Sequence, residues 1–158
     1  MMKKRMIADT LPDNEKPTTS WLDLEVLVDV EITSEDSDFP IEAALLANSE
    51  HGWRAGKPGA QTIRLLLKQP QNIQRIQLCF LESAVMRTQE YVLRWSKDYG
   101  QTYHEIVRQQ WNFSPDGSSV ETEEYTLALS GVTVLELMIT PDISSKSAFA
   151  SLEKLRIA

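Results

Sequence analysis

Apolar and polar residues alternate with a period of two along most of the chain, and this pattern restricts the fold more than any other feature. From Leu22 the even positions Leu22, Leu24, Val26, Val28, Val30 and Ile32 are apolar, while Asp23, Glu25, Asp29 and Glu31 lie between them. A pleated strand turns successive side chains to opposite faces, so the pattern predicts a half-buried strand whose acids point to water. The period returns at Ile63-Leu65-Leu67, Ile76-Leu78-Phe80, Tyr91-Leu93-Trp95, Tyr125-Leu127-Leu129 and Leu135-Leu137-Ile139. Breakers separate the runs: Lys57-Pro58-Gly59, Gln69-Pro70-Gln71-Asn72, Lys97-Asp98-Tyr99-Gly100, Ser114-Pro115-Asp116-Gly117 and Thr140-Pro141-Asp142. With Leu152 to Ile157 added, the expectation is all-β, a jelly-roll β-sandwich of about eight antiparallel strands. One short helix is expected over Pro40 to Ala47, with Asp38 before it as N-cap.

A length of 158 residues suits one domain. Residues 1–20 carry Pro12 and Pro17 and no apolar periodicity, and are expected to form a poorly ordered arm. The sandwich is expected over 21–158. Asp9, Asp13 and Asn14 interrupt the basic start before any apolar segment forms, so export is not expected. No run is apolar enough for a membrane span. Cys79 is the single cysteine; it is expected to be a small core residue and fits a reducing cytoplasm. The net charge is −7, and residues 21–50 hold nine acids without a Lys or Arg, so no nucleic acid partner is expected.

The two histidines, His51 and His104, have no second ligand at metal-binding spacing, and no phosphate loop or nucleophile elbow occurs. Neither a cofactor nor a metal is expected, and the chain is not expected to be an enzyme. Arg108-Gln109-Gln110-Trp111-Asn112-Phe113 gathers a guanidinium, amides and an aromatic pair before a turn, and is read either as a binding loop or as part of a hairpin whose Trp111 covers the sandwich edge. Its ligand-binding residues are expected to be Arg108, Gln110, Trp111, Asn112 and Phe113, acting with Arg54. Arg87 is a further candidate. Trp53 is expected to anchor the core.

Three ordered blocks carry a family likeness. Thr33 to Leu45 leads through Pro40 to Ala43-Ala44-Leu45; Gly52-Trp53-Arg54-Ala55 follows with Pro58 and Gly59; and Arg87 to Gly100 ends in Ser96-Lys97-Asp98-Tyr99-Gly100. Over about residues 31–157 the chain resembles the discoidin, or coagulation-factor type C, domains. The resemblance implies a galactose-binding-domain-like jelly roll that binds sugars, lipid head groups or protein partners through loops at one end. Many sugar-binding members hold a structural Ca²⁺ by two carboxylates at positions that here are Leu46 and Lys154, so that site is expected to be absent. The repair-scaffold branch of the fold, which binds proteins, also carries a Trp-Arg-Ala block. The resemblance therefore implies a module for intracellular protein partners, with a carbohydrate ligand as the alternative.

Overall fold

The computed structural model describes residues 20–46 and 51–158. Most of the expected arm lies outside the described residues. The strands are β1 (Val28–Ile32), β2 (Trp53–Arg54), β3 (Gln61–Leu81), β4 (Arg87–Ser96), β5 (His104–Phe113), β6 (Val120–Thr140), β7 (Ser151–Leu152) and β8 (Lys154–Ile157). Among the described residues, two single-turn helices precede β1 and β2: α1 (Leu24–Leu27) and α2 (Glu42–Leu45). All pairings are antiparallel.

One layer runs in the order β1, first half of β3, second half of β6, β4, β5. In the other, the second half of β3 pairs with the first half of β6 and with β8. The layers meet through their apolar faces: the rings of Phe80 on β3 and Tyr91 on β4 lie 5.1 Å apart, and Tyr91 Oη lies 2.5 Å from Tyr125 Oη on β6. Ile63, Leu65, Ile76, Leu78, Leu93, Leu135 and Leu137 fill the space between. The expected all-β sandwich of eight strands is the fold found.

Three local expectations are corrected. The strand read from Leu22 starts at Val28, because Asp23 caps a helical turn by accepting from Glu25 N–H at 3.2 Å. Gln69-Pro70-Gln71-Asn72 does not reverse the chain but lies inside β3. The ladder there shifts register between Leu66 and Arg75, and Gly131 (φ 68°) on β6 donates to Asn72 Oδ1 at 3.1 Å. A proline that cannot donate and a glycine that tolerates positive φ thus make a crease at which both long strands pass from one layer to the other. Among the described residues helix α2 covers only 42–45, Ala47 lying outside them; its N-cap position is Ile41 rather than Asp38, no side chain caps it, and Glu35 accepts from Ile41 N–H at 3.0 Å just before it.

The Gly52-Trp53-Arg54-Ala55 block is structural at three of its positions. Trp53 is fully buried and donates from Nε1 to Ser34 O at 3.0 Å. Ala55 is buried beside Ala150. A Cβ on Gly52 would fall 2.3 Å from Leu152 O, so only glycine lets β2 approach β7. Cys79 faces away from the core between buried Leu78 and Phe80; it is half-buried on the outside of its layer. Lys154 donates from Nζ to Ala43 O at 3.2 Å and Leu46 O at 3.1 Å, which ties β8 to the carbonyl end of α2.

Candidate functional site

Residues 108–113 form a strand rather than a loop. Arg108 to Phe113 are the second part of β5 and pair with β4 from Val92 to Arg87. Alternation divides them between two faces. Arg108, Gln110 and Asn112 point outward, Trp111 is half-buried toward the other layer, and Phe113 is fully buried. Phe113 is a core residue and offers no surface to a ligand.

Arg87 is also buried, with 4 % exposure. Its Nε donates to Glu82 at 2.7 Å, its Nη1 to Pro141 O at 2.5 Å and to Gln89 Oε1 at 3.3 Å, and its guanidinium lies over the Phe113 ring at 4.9 Å. Burial opposes ionisation of Glu82, yet the Arg87 hydrogen bond and charge, with the Ala84 and Val85 N–H groups, together lower its carboxyl from its ordinary value. These contacts make Arg87 a bracket between β4 and the segment after β6.

Arg54 belongs to the separate two-stranded β2–β7 sheet. It is exposed, and its guanidinium stacks over Phe39 at 5.0 Å. With His51, Leu81, Ser151 and Glu153 it borders a cleft of about 220 Å³. Arg54 and the β5 residues therefore occupy different sheets, and the structure does not gather them into one site.

The residues that surround Arg108 were not singled out from the sequence. On the outward face of the five-strand layer, Glu31 on β1 pairs with Arg64 on β3 at 3.4 Å, and Arg64 with Glu136 on β6 at 2.8 Å. Glu136 in turn meets Arg94 on β4 at 2.5 Å, and Arg94 lies over the Tyr103 ring at 4.3 Å. Flanked by two guanidiniums, Glu136 is fully buried although it lies on the outer side. Beside this row, Glu90 accepts from Arg108 at 3.1 Å and Gln110 at 3.2 Å, and Arg108 also reaches Glu105 at 3.1 Å. Thr88 Oγ1 donates to Asn112 Oδ1 at 2.6 Å.

The exposed pairs Glu31–Arg64 and Arg108–Glu105 contribute about 0–1 kcal/mol each, whereas removing a partner of the buried Glu136 would leave its charge uncompensated. What the rows chiefly fix is a pattern of charge across the sheet. β5 closes the layer, and no described strand pairs with its outer side. The only sequence signal for these rows is the polar parity of each strand. Which polar residues become neighbours depends on register, which alternation does not encode.

The β4–β5 hairpin is tied by short polar bonds. Ser96 Oγ accepts from Gly100 N–H at 2.9 Å and donates to Asp98 at 2.6 Å, while Thr102 N–H donates to Asp98 at 2.8 Å. Such bonds favour the ionised carboxylate and lower Asp98 to about 2. Tyr99 and Gly100 both adopt positive φ, as a tight turn at this hairpin requires.

Comparison with known proteins places this geometry. No curated protein sequence matches the chain. Among solved structures, CpGH89CBM32-5 from Clostridium perfringens, in complex with GalNAc-beta-1,3-galactose, aligns with a TM-score of 0.63 and 21% identity, covering 87% of this chain and 99% of that one. The CBM32 of AlyQ in complex with 4,5-unsaturated mannuronic acid aligns at 0.62 and 17% identity, over 89% and 98% of the two chains. Reduced XRCC1 bound to the DNA pol beta catalytic domain aligns at 0.60 and 17% identity, over 84% and 94%. These likenesses establish the galactose-binding-like fold of the discoidin type. The sequence profile of the XRCC1 N terminal domain matches residues 24–131, more than half of the chain. This protein therefore belongs to the XRCC1 N terminal domain family.

Proposed function

We propose that the chain is a non-catalytic protein-interaction module that docks its partner on the outer face of the five-strand layer, beside β5. The observation that carries this reading is the placement of Arg108, Gln110 and Asn112 in rows with Glu90 and Thr88, on a ten-residue strand with no described neighbour on its outer side. An open edge offers main-chain hydrogen bonds, and rows of opposite charge set register and exclude mismatched partners. The solved relative in complex with a polymerase catalytic domain supports a protein as the ligand. A lone cysteine suits work in the cytoplasm.

A carbohydrate reading rests on a different place. Arg54 stacked on Phe39, with His51 and Glu153, presents the side-chain types that bind hydroxyls, and two of the aligned structures hold sugars. The cleft of about 220 Å³ is smaller than usual ligand pockets, which favours the protein reading.

Paired affinity capture and glycan-array measurements separate the two. Arg108→Glu is expected to lower recovery of the cross-linked protein partner about tenfold, as loss of one interfacial charge contact does, while Arg54→Ala leaves it unchanged. Saturable binding to an isolated glycan, abolished by Arg54→Ala, together with capture insensitive to Arg108→Glu, would replace the protein reading by the carbohydrate one.

A further inference from the structure

At the opposite edge of the five-strand layer from β5, helix α1, strand β1 and helix α2 border a groove of about 320 Å³. Leu24, Val28, Val30, Leu45 and Leu46 make its apolar walls. Glu25 and Glu42 also line it, both exposed, and neither forms an ion pair with a described residue. The groove meets an unfilled strand edge as well, since no described strand pairs with the outer side of β1. Thr33 N–H donates to Thr62 O at 3.0 Å, and bonded and non-bonded pairs alternate along an antiparallel ladder. Val30 therefore turns its N–H and C=O away from β3, toward the open side.

An occupant of this groove needs apolar side chains, a main chain free to bond and positive charge. Two segments of the chain lie outside the described residues, 1–19 and 47–50. Ala47-Asn48-Ser49-Glu50 follows directly on Leu46, but it has no cation and no large apolar side chain, and it would add an acid to two others. Lys3-Lys4-Arg5-Met6-Ile7 sets three consecutive cations beside two apolar side chains, while residues 21–50 hold nine acids and no Lys or Arg. The chain from Ile7 to Ser20 reaches at most about 43 Å, and Ser20 lies only four residues before Leu24 in the groove wall. A tether of that length holds the segment at millimolar effective concentration, so contacts too weak for a free peptide suffice.

We propose that Lys3 to Ile7 of the same chain dock in this groove. Met6 and Ile7 pack on Leu24, Leu45 and Leu46, the three cations face Glu25 and Glu42, and the main-chain groups of Val30 bond those of the segment. The apolar walls supply the attraction and the acids choose the segment, because a neutral or acidic stretch of equal hydropathy would leave both carboxylates unpaired.

The test uses the full chain with isotope-labelled methyl groups, observed by NMR. Nuclear Overhauser contacts are expected from the Met6 ε-methyl and Ile7 δ-methyl groups to the methyl groups of Leu24, Leu45 and Leu46. Met6→Ser combined with Ile7→Ser is expected to abolish them and to shift the groove methyl signals, which defines the empty state. Glu42→Lys, or Glu25→Lys should that variant not fold, is expected to lower the equilibrium constant for occupancy about twofold to fivefold, the worth of one exposed charge pair. Raising NaCl from ~50 to ~500 mM is expected to lower it in the same direction. Arg108→Glu, on the far edge strand, is expected to change none of these signals, so failure here and failure at β5 are distinguishable. Groove methyl shifts identical in the wild type and the double serine variant would overturn the proposal. Contacts from Ala47 in place of Met6 and Ile7 would do so too, as would contacts found only between differently labelled copies in a mixed sample, since a second molecule would then fill the groove. Occupancy insensitive to both the Glu→Lys variants and salt would overturn the charge match that selects the segment.

Discussion

Glu121 is 1 % exposed with neither carboxyl oxygen bonded, and burial together with the adjacent Glu123 lifts it to about 7. An unfolded glutamate titrates near 4.3, so the folded state holds this proton more tightly. The group's contribution to stability is therefore complete below about pH 4, declines as pH rises through the window to about 7, and is lost above it. The loss is on the order of 3 kcal/mol. Glu121→Gln is expected to remove the decline, so that urea midpoints of the two proteins diverge in its favour at pH 8; a wild-type slope retained by the variant would place the linkage elsewhere. Glu121 shares parity with Tyr125, Leu127 and Leu129, so its inward direction was readable by extending that run. Its lack of partners was not, because satisfaction depends on what the facing layer supplies.

At the scale of elements, the strand β2 is held by closeness rather than length. It has two residues, yet its ladder to β7, the Trp53 side chain and Gly52 together fix residues 52–54 against β7 and the segment at Ser34. Gly52→Ala is expected to destabilise the domain by about 2–4 kcal/mol, as overpacking against main-chain atoms does, because its Cβ would lie 2.3 Å from Leu152 O. Thermal unfolding checks this; an unchanged midpoint would mean that β7 moves aside freely. The Gly-Trp-Arg-Ala block was legible as a landmark, and Trp53 as a core anchor, because the block leads straight into a strand and an indole has a large apolar area to bury. For Arg108 to Phe113 the edge-hairpin reading holds and the loop does not, and the two were hard to separate for a physical reason. A strand at a sheet edge keeps polar residues on one face and half-exposed aromatics on the other, and in one dimension that mixture looks like a binding loop. Arg87 likewise carried no mark of its burial, since its partners, Glu82, Pro141 and Gln89, are set by tertiary contact.

For the whole molecule, fold class and strand number followed from periodicity, while the connection between layers did not. Gln69 to Asn72 has the composition of a reversal, and local chemistry alone cannot tell a turn from a bulge when both long strands continue beyond it. Because β3 and β6 each contribute to both layers, neither layer can detach without breaking the ladder of the other. Native-state hydrogen exchange is thus expected to show the amides of Ile63–Leu65 in one layer and Ile76–Leu78 in the other opening with the same free energy, as members of one cooperative unit. Separate values for the two groups would mean that the crease at Gln71 to Ile73 acts as a boundary.

That crease also gives the domain a direction of compliance. Like a sheet of paper folded once, it resists sliding of one leaf over the other but yields most readily to a change in the angle between them. A load that changes that angle would bear first on the broken ladder beside Asn72 and Gly131, where the two strands share the fewest paired residues.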